Sequence, residues 1–345
     1  MSLTLIATIL TSAAVLGLLV IGKSLLIPFA IAVMLWYVID AIAAHFRNFS
    51  IRGFHPFGRF SVIPALLVVI LLMTGLVQMI GDTVQQVSIA APSYQDNVSK
   101  ILEHFSAITG IEVAPVLQNW LSELNLGKII GGFASAIMGL AGNAGMVAIY
   151  VAFLLLEERY FSIKMRIMFP NRERRKRINK MLDDIQIQIR QYLYIKTLLS
   201  ALTGIISYAI LIWVGVDYAP FWALLIFLLN FIPTIGSMIA VLLPTALSLV
   251  QFDTFTPFIT LLVSLGTVQM LIGNVLEPRV MGSSLNLSPL VVILALSLWG
   301  QIWGITGMFL SVPITVIGMI VLASFPATRA IAVAMSENGR LRPVS

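Results

Sequence analysis

Two short stretches hold the polar groups of an otherwise apolar C-terminal half: NFIPTIGS at 230–237 and LEPRVMG at 276–282. In the first, Pro233 lacks an amide N–H and so leaves the Leu229 carbonyl, one turn earlier, without its helical donor. Gly236 permits a turn, while Asn230, Thr234 and Ser237 add side-chain polar groups. In the second, Glu277 and Arg279 flank Pro278, which is expected to end or kink its helix. Glu277 shares a helical face with Gly266, Gln269, Gly273 and Asn274, at spacings of three or four. A carboxylate beside an unwound backbone can bind a cation or exchange a proton, and Arg279 can neutralise it or hold an anionic substrate. The segment GSSLNLSP (282–289) reads as irregular, with Ser and Asn able to cap the next helix. The candidate substrate- or ion-binding residues are therefore Asn230, Pro233, Thr234, Gly236, Ser237, Gln269, Asn274, Glu277 and Arg279. The competing readings are a structural proline kink for the first stretch and an interfacial loop with snorkelling charges for the second.

Irregular backbone of this kind is tolerated at membrane depth only where protein or water satisfies it. The composition places it there. The 345 residues are 59% hydrophobic and 10% charged, against about 25% charged in a soluble domain. Stretches at 3–22, 61–81, 129–156, 197–216, 219–252, 255–276 and 285–325 each approach or exceed the roughly 20 apolar residues of a spanning helix. The fold class is all-α, a polytopic transmembrane bundle. The stretch 3–22 has no basic residue before it and no small-residue cleavage site after it, and reads as a retained span. There is no cysteine, which excludes disulfides and thiolate metal sites.

The chain divides by composition into N-terminal transmembrane helices (1–81), an external segment (82–128), a transmembrane helix (129–156), a basic cytoplasmic helical loop (157–196) and a C-terminal transport core with a basic tail (197–345). In the external segment Val84, Val87, Ala91, Tyr94, Val98, Leu102 and Phe105 predict an amphipathic helix with Pro92 as a kink, and Trp120, Leu121 and Leu124 a second short apolar face. Eleven of the 21 Lys and Arg lie between Arg159 and Lys196, which places that loop in the cytoplasm. Its basic amphipathic helix suits anionic membrane lipid rather than nucleic acid, since no recognition fold accompanies it.

Parity decides the last part. The stretch 219–252, broken by Pro233 and Pro244, reads as a re-entrant hairpin, because a single crossing would put the basic C-terminus outside. The segments 285–303 and 305–325 then form a final pair. With 24–39 as a short but adequate second span, the expected count is about eight crossings (3–22, 24–39, 61–81, 129–156, 197–216, 255–276, 285–303 and 305–325) plus one hairpin, with both termini cytoplasmic.

NFIPTIGS, the run GNVLEPRVMGSSLNLSPLVVILALSLWG and the final GITGMFLSVPIT resemble the autoinducer-2 exporter family of bacterial membrane proteins. Their order matches, and so does the external helical segment before the fourth span. The resemblance implies an inner-membrane transporter protomer in a homo-oligomer, pentamers being known in the family. By position it carries over Asn230, Pro233, Gly236, Glu277, Pro278, Arg279, Pro289, Gly304, Gly307 and Pro313. Thr234 stands where family members often have an aromatic residue. Some members resemble sodium/proton antiporters in activity.

The expected function is export of a small polar solute such as autoinducer-2, driven by the proton gradient, because no G-x-x-x-x-G-K-[ST] loop for nucleotide is present. The alternative is sodium or lithium/proton antiport with Glu277 as the exchanging acid. An intramembrane hydrolase is disfavoured: H-E-x-x-H and G-x-S-x-G are absent, and His45, His55 and His104 are expected in loops rather than mid-span. A scaffold acting through the basic helix is a further class. No catalytic residue, metal or cofactor is expected.

Overall fold

The computed structural model describes residues 3–48, 61–109, 142–281 and 286–339. Every regular element among them is a helix; the sole β contact is an isolated bridge between Leu287 and Ser336. Among the described residues, five helical segments are long and apolar enough to cross a membrane: Lys23–Ala44, Val62–Thr83, Arg172–Val214, Thr256–Met281 and Pro289–Ser324. This is the all-α bundle expected from the composition.

Helices α1 (Leu3–Ile21) and α2 (Lys23–Asn48) are parted only by Gly22. Helix α3 (Val62–Thr109) runs unbroken for 48 residues, so the third span and the amphipathic helix after it are one element, with Pro92 inside it. The second apolar face around Trp120 and residues 129–141 of the 129–156 stretch lie outside the described residues. Helix α4 (Ala144–Met168) and helix α5 (Arg172–Val214) are joined by a three-residue turn, Phe169–Asn171. Asn171 caps α5, its Oδ1 accepting the amides of Glu173 at 3.0 Å and Arg174 at 3.1 Å. The basic half of α5 passes into its apolar half without a break, so residue 196 lies inside a helix rather than at the end of a loop.

The remaining elements are α6 (Ala219–Leu229), α7 (Ile235–Gln251), α8 (Thr256–Gln269), a π-helical segment (Met270–Leu276), α9 (Glu277–Met281), α10 (Pro289–Ser324) and α11 (Arg329–Met335). The chain forms two compact units. The first comprises residues 1–71, 140–194 and 283–345; the second comprises 72–139 and 195–282.

In the first unit Ala32, Ile39 and Ala43 of α2 pack with Ala65 and Val69 of α3 and with Val147 and Val151 of α4. The small residues allow close helix approach, as lipid-embedded packing favours. Asp40 accepts hydrogen bonds from the guanidinium groups of Arg190 and, at 3.2 Å, Arg47. Helix α10 reverses at Gly304 (φ 62°, ψ −143°), giving two arms, 289–303 and 305–324. That is the expected final pair. The arms meet so closely that a Cβ on Gly307 would lie 1.9 Å from the Trp299 carbonyl oxygen. The Trp303 indole N–H donates to the Leu19 carbonyl oxygen at 3.0 Å.

In the second unit α6 and α7 form the expected hairpin. The Gln251 side chain donates to Gly215 O at 2.8 Å and accepts from the Asp217 amide at 2.9 Å, so the end of α7 returns to the start of α6. The eleven residues of α6 cover roughly 16 Å, about half a bilayer core. Helix α8 then runs antiparallel to α7 and packs along it.

Candidate functional site

The hairpin tip is tightly wound. Asn230 caps α6 with its amide donating to Ile226 O at 3.0 Å, and its side chain is half-buried. The carbonyl of Leu229, expected to be freed by Pro233, accepts the Ile232 amide at 2.9 Å. The turn supplies locally the donor that proline removed, so this carbonyl is not an open ligand. The half-buried Pro233 accepts the Ile235 amide at 2.6 Å across Thr234, whose φ 59° and ψ −61° define a γ-turn of the strained, positive-φ kind. For a β-branched residue this backbone is an outlier. Thr234 is exposed, and its carbonyl accepts from the half-buried Ser237 hydroxyl at 2.8 Å and the Met238 amide at 3.2 Å. Gly236 is buried, and a Cβ there would sit 1.9 Å from Leu229 O.

The second stretch departs further from the sequence expectation. Pro278 does not end its helix, which continues to Met281. The disturbance lies upstream, where the Glu277 amide bonds Ile272 O five residues back. A widened π turn gives the proline ring room against the preceding turn, where a regular α turn would clash. The π-type donor to Gly273 O would be residue 278, a proline with no N–H. Gly266, Gln269, Gly273 and Glu277 are half-buried, while Asn274 is exposed. The Gln269 Nε2 is buried and has no hydrogen-bond partner.

Glu277 is paired, but not with Arg279. Its Oε1 accepts from Lys196 Nζ at 2.5 Å, and the two side chains are 25% and 6% exposed. Arg279 is exposed and makes no ion pair among the described residues. Two residues along a helix point away from each other, so Arg279 is poorly placed to reach Glu277, whereas Lys196 faces it from α5. Ile195 and Leu199 of α5 pack against Ile272, with Val268, Leu276 and Met281 around them, and hold the two segments together.

Lys196 escaped the sequence reading because it closes a run of basic residues. A signal was nevertheless present. Lys196, Ser200, Thr203 and Ser207 recur at four, three and four residues along an otherwise apolar helix, and all four are buried. This stripe mirrors Gly266, Gln269, Gly273 and Glu277. Because α5 ends where α7 ends, at Gly215 and Gln251, α5 and α8 run antiparallel. Ser200, one turn after Lys196, is thus level with Gly273, one turn before Glu277. The same counting at 1.5 Å per residue puts Thr234 about 25 Å from the 252–255 turn, level with the π segment. The two irregular elements therefore share one depth within the second unit.

A multi-pass helical chain with a mostly buried ion pair at a π-helical break, and a second irregular segment at a hairpin tip, has the make-up of a membrane transporter. The chain belongs to the AI-2E family of transporters, which it matches over residues 5–327. It is 28% identical over 321 residues to the AI-2 transport protein TqsA of Escherichia coli K12, covering 92% of this chain and 90% of that one. It is 31% identical over 255 residues to the putative transport protein YhhT of the same strain, covering 72% and 71%. A putative transport protein of Haemophilus influenzae is 32% identical over 263 residues, covering 73% and 74%.

Proposed function

We propose that this transporter exports a small polar solute of the autoinducer-2 kind across the bacterial inner membrane as a homo-oligomer, with the proton gradient as the driving force. The observation that carries the reading is the Lys196–Glu277 pair. Burying an ammonium and a carboxylate in apolar surroundings is costly unless they neutralise each other, and such residues within membrane helices mark substrate or proton pathways. The full-length similarity to an AI-2 transport protein supports the choice of solute.

Glu277 is the group that changes protonation. When it takes a proton the pair loses its attraction, and the packing between α5 and the π segment loosens. Deprotonation restores both. The polar stripes on the two helices supply hydroxyl and amide groups for a hydroxylated solute along this seam. Cation exchange is less well served, because an ammonium already occupies the coordination position at the carboxylate.

The test uses proteoliposomes loaded with autoinducer-2 under an imposed pH gradient. Glu277→Gln keeps size and hydrogen bonding but cannot ionise. It should assemble normally and lose gradient-driven efflux. Unchanged efflux from a well-assembled Glu277→Gln protein across pH 6–8 would rule out the coupling role.

A further inference from the structure

We infer that the C-terminal segment is a releasable strap: residues 335–337 tie the open end of the α10 hairpin, and the transport cycle requires that tie to open. The inference rests on the transport reading of the chain, though not on the identity of the solute.

The two arms of α10, 289–303 and 305–324, are fixed to each other near their reversal. A Cβ on Gly307 would meet the Trp299 carbonyl oxygen at 1.9 Å, and one on Gly300 would meet Met308 Cε at 2.9 Å. Atoms packed this closely leave no room for sliding. Movement of one arm against the other must start from the opposite end, near Pro289 and Ser324. That end is closed by the tail. The Thr328 hydroxyl donates to Leu322 O at 2.8 Å, and α11 then packs on α10 with Ala332 fully buried. Beyond α11, the Ser288 amide donates to Met335 O at 2.9 Å and the Glu337 amide to Asn286 O at 3.2 Å. These bonds set Leu287 opposite Ser336 in the antiparallel bridge, and both residues are buried.

The tie is built to release. On the tail side Ser336 is held by its own turn: its amide donates to Ala332 O and Val333 O, and its hydroxyl donates to Val333 O at 2.7 Å. The same hydroxyl accepts the Gly339 amide at 3.0 Å, where Gly339 has a φ of 72°. Opening therefore breaks the two backbone bonds and uncovers Leu287, while the turn after α11 keeps its shape. It also frees Asn286 from a left-handed backbone, φ 46°, which is unfavourable for any residue but glycine. Transporters alternate access by rocking groups of helices. In the first unit the strap is what holds the arms of α10 against such a movement.

The chain has no cysteine, so Leu287→Cys gives one thiol that a soluble reagent reaches only when the strap is open. In the full-length protein it should label to completion, but more slowly than a cysteine replacing the exposed Ile331. Glu337→Pro removes one of the two donors, and the extended Ser336 before it (φ −77°, ψ 154°) suits a following proline. Added to Leu287→Cys, it should raise the labelling rate roughly fivefold, as loss of one hydrogen bond predicts. For function, Leu287→Cys/Ser336→Cys is oxidised to a disulfide, which an opposed antiparallel pair of the non-hydrogen-bonded kind accommodates. The oxidised protein should lose pH-gradient-driven efflux from proteoliposomes and regain it on reduction. Full efflux from the cross-linked protein overturns the inference. So does labelling of residue 287 that never occurs, that matches the exposed control, or that ignores Glu337→Pro. If the parent and the reduced double-cysteine protein both move no autoinducer-2, the proposed solute is wrong, and the labelling rates decide the strap by themselves.

Discussion

Gly236→Ala tests the hairpin most directly. The added methyl would lie 1.9 Å from the Leu229 carbonyl oxygen, 2.8 Å from its carbon and 3.0 Å from Ile232 Cβ. Ordinary carbon–oxygen contact needs a little over 3 Å, so the arms must part by more than an ångström at this point. Neither clashing atom of Leu229 belongs to a flexible side chain. Both are backbone, fixed by the bond from the Ile232 amide. Overpacking costs about 1–3 kcal/mol, and a rigid backbone obstacle places this case at the upper end, around 3 kcal/mol, or roughly a hundredfold against the closed hairpin. Helix propensity returns about 1 kcal/mol at most. Gly266→Ala is the internal control, since nothing lies within 4 Å of its added Cβ. The assay is reaction of a cysteine at position 235, beside the tip, with a soluble thiol reagent, together with thermal unfolding in detergent. Gly236→Ala should label faster and unfold earlier than the parent, while Gly266→Ala should label at the parental rate and unfold no earlier. Parental behaviour from Gly236→Ala would refute the close approach of the two arms.

Thr234→Gly should stabilise the protein by about 1–2 kcal/mol, because glycine adopts the positive φ of the γ-turn without strain; an unchanged or lower unfolding temperature would show that the turn is not strained. A double-mutant cycle on Lys196→Met and Glu277→Gln should give a coupling of about 2–3 kcal/mol in unfolding, below the 3–5 kcal/mol of a fully buried pair because Glu277 retains some exposure; strictly additive effects would remove the pair from any structural role. Cysteines replacing Asp217 and Asp253 should react with an impermeant reagent from the same side of the membrane, and one replacing Lys176 from the other; opposite sidedness of the first two would turn the hairpin into a crossing.

Hydropathy and periodicity were enough to identify a multi-pass helical chain, because lipid forces every backbone polar group into helices and so writes the spans as long apolar runs. Proline and glycine marked the reversals near Pro233 and Gly304, since those residues alter the backbone locally whatever surrounds them. The face shared by Gly266, Gln269, Gly273 and Glu277 was equally legible, being a property of one helix. What the sequence could not supply was the partner across the seam. Arg279 was nearest to Glu277 along the chain, but nearness in sequence is not facing in space, and Lys196, 81 positions away, reached it only because α5 and the π segment pack together. Nor could linear division show that residues 195–282 gather into one unit while 140–194 join another. The continuous α5 carries both halves of its own sequence into different surroundings, and only tertiary packing decides which of its charges remain in water and which are paired within the protein.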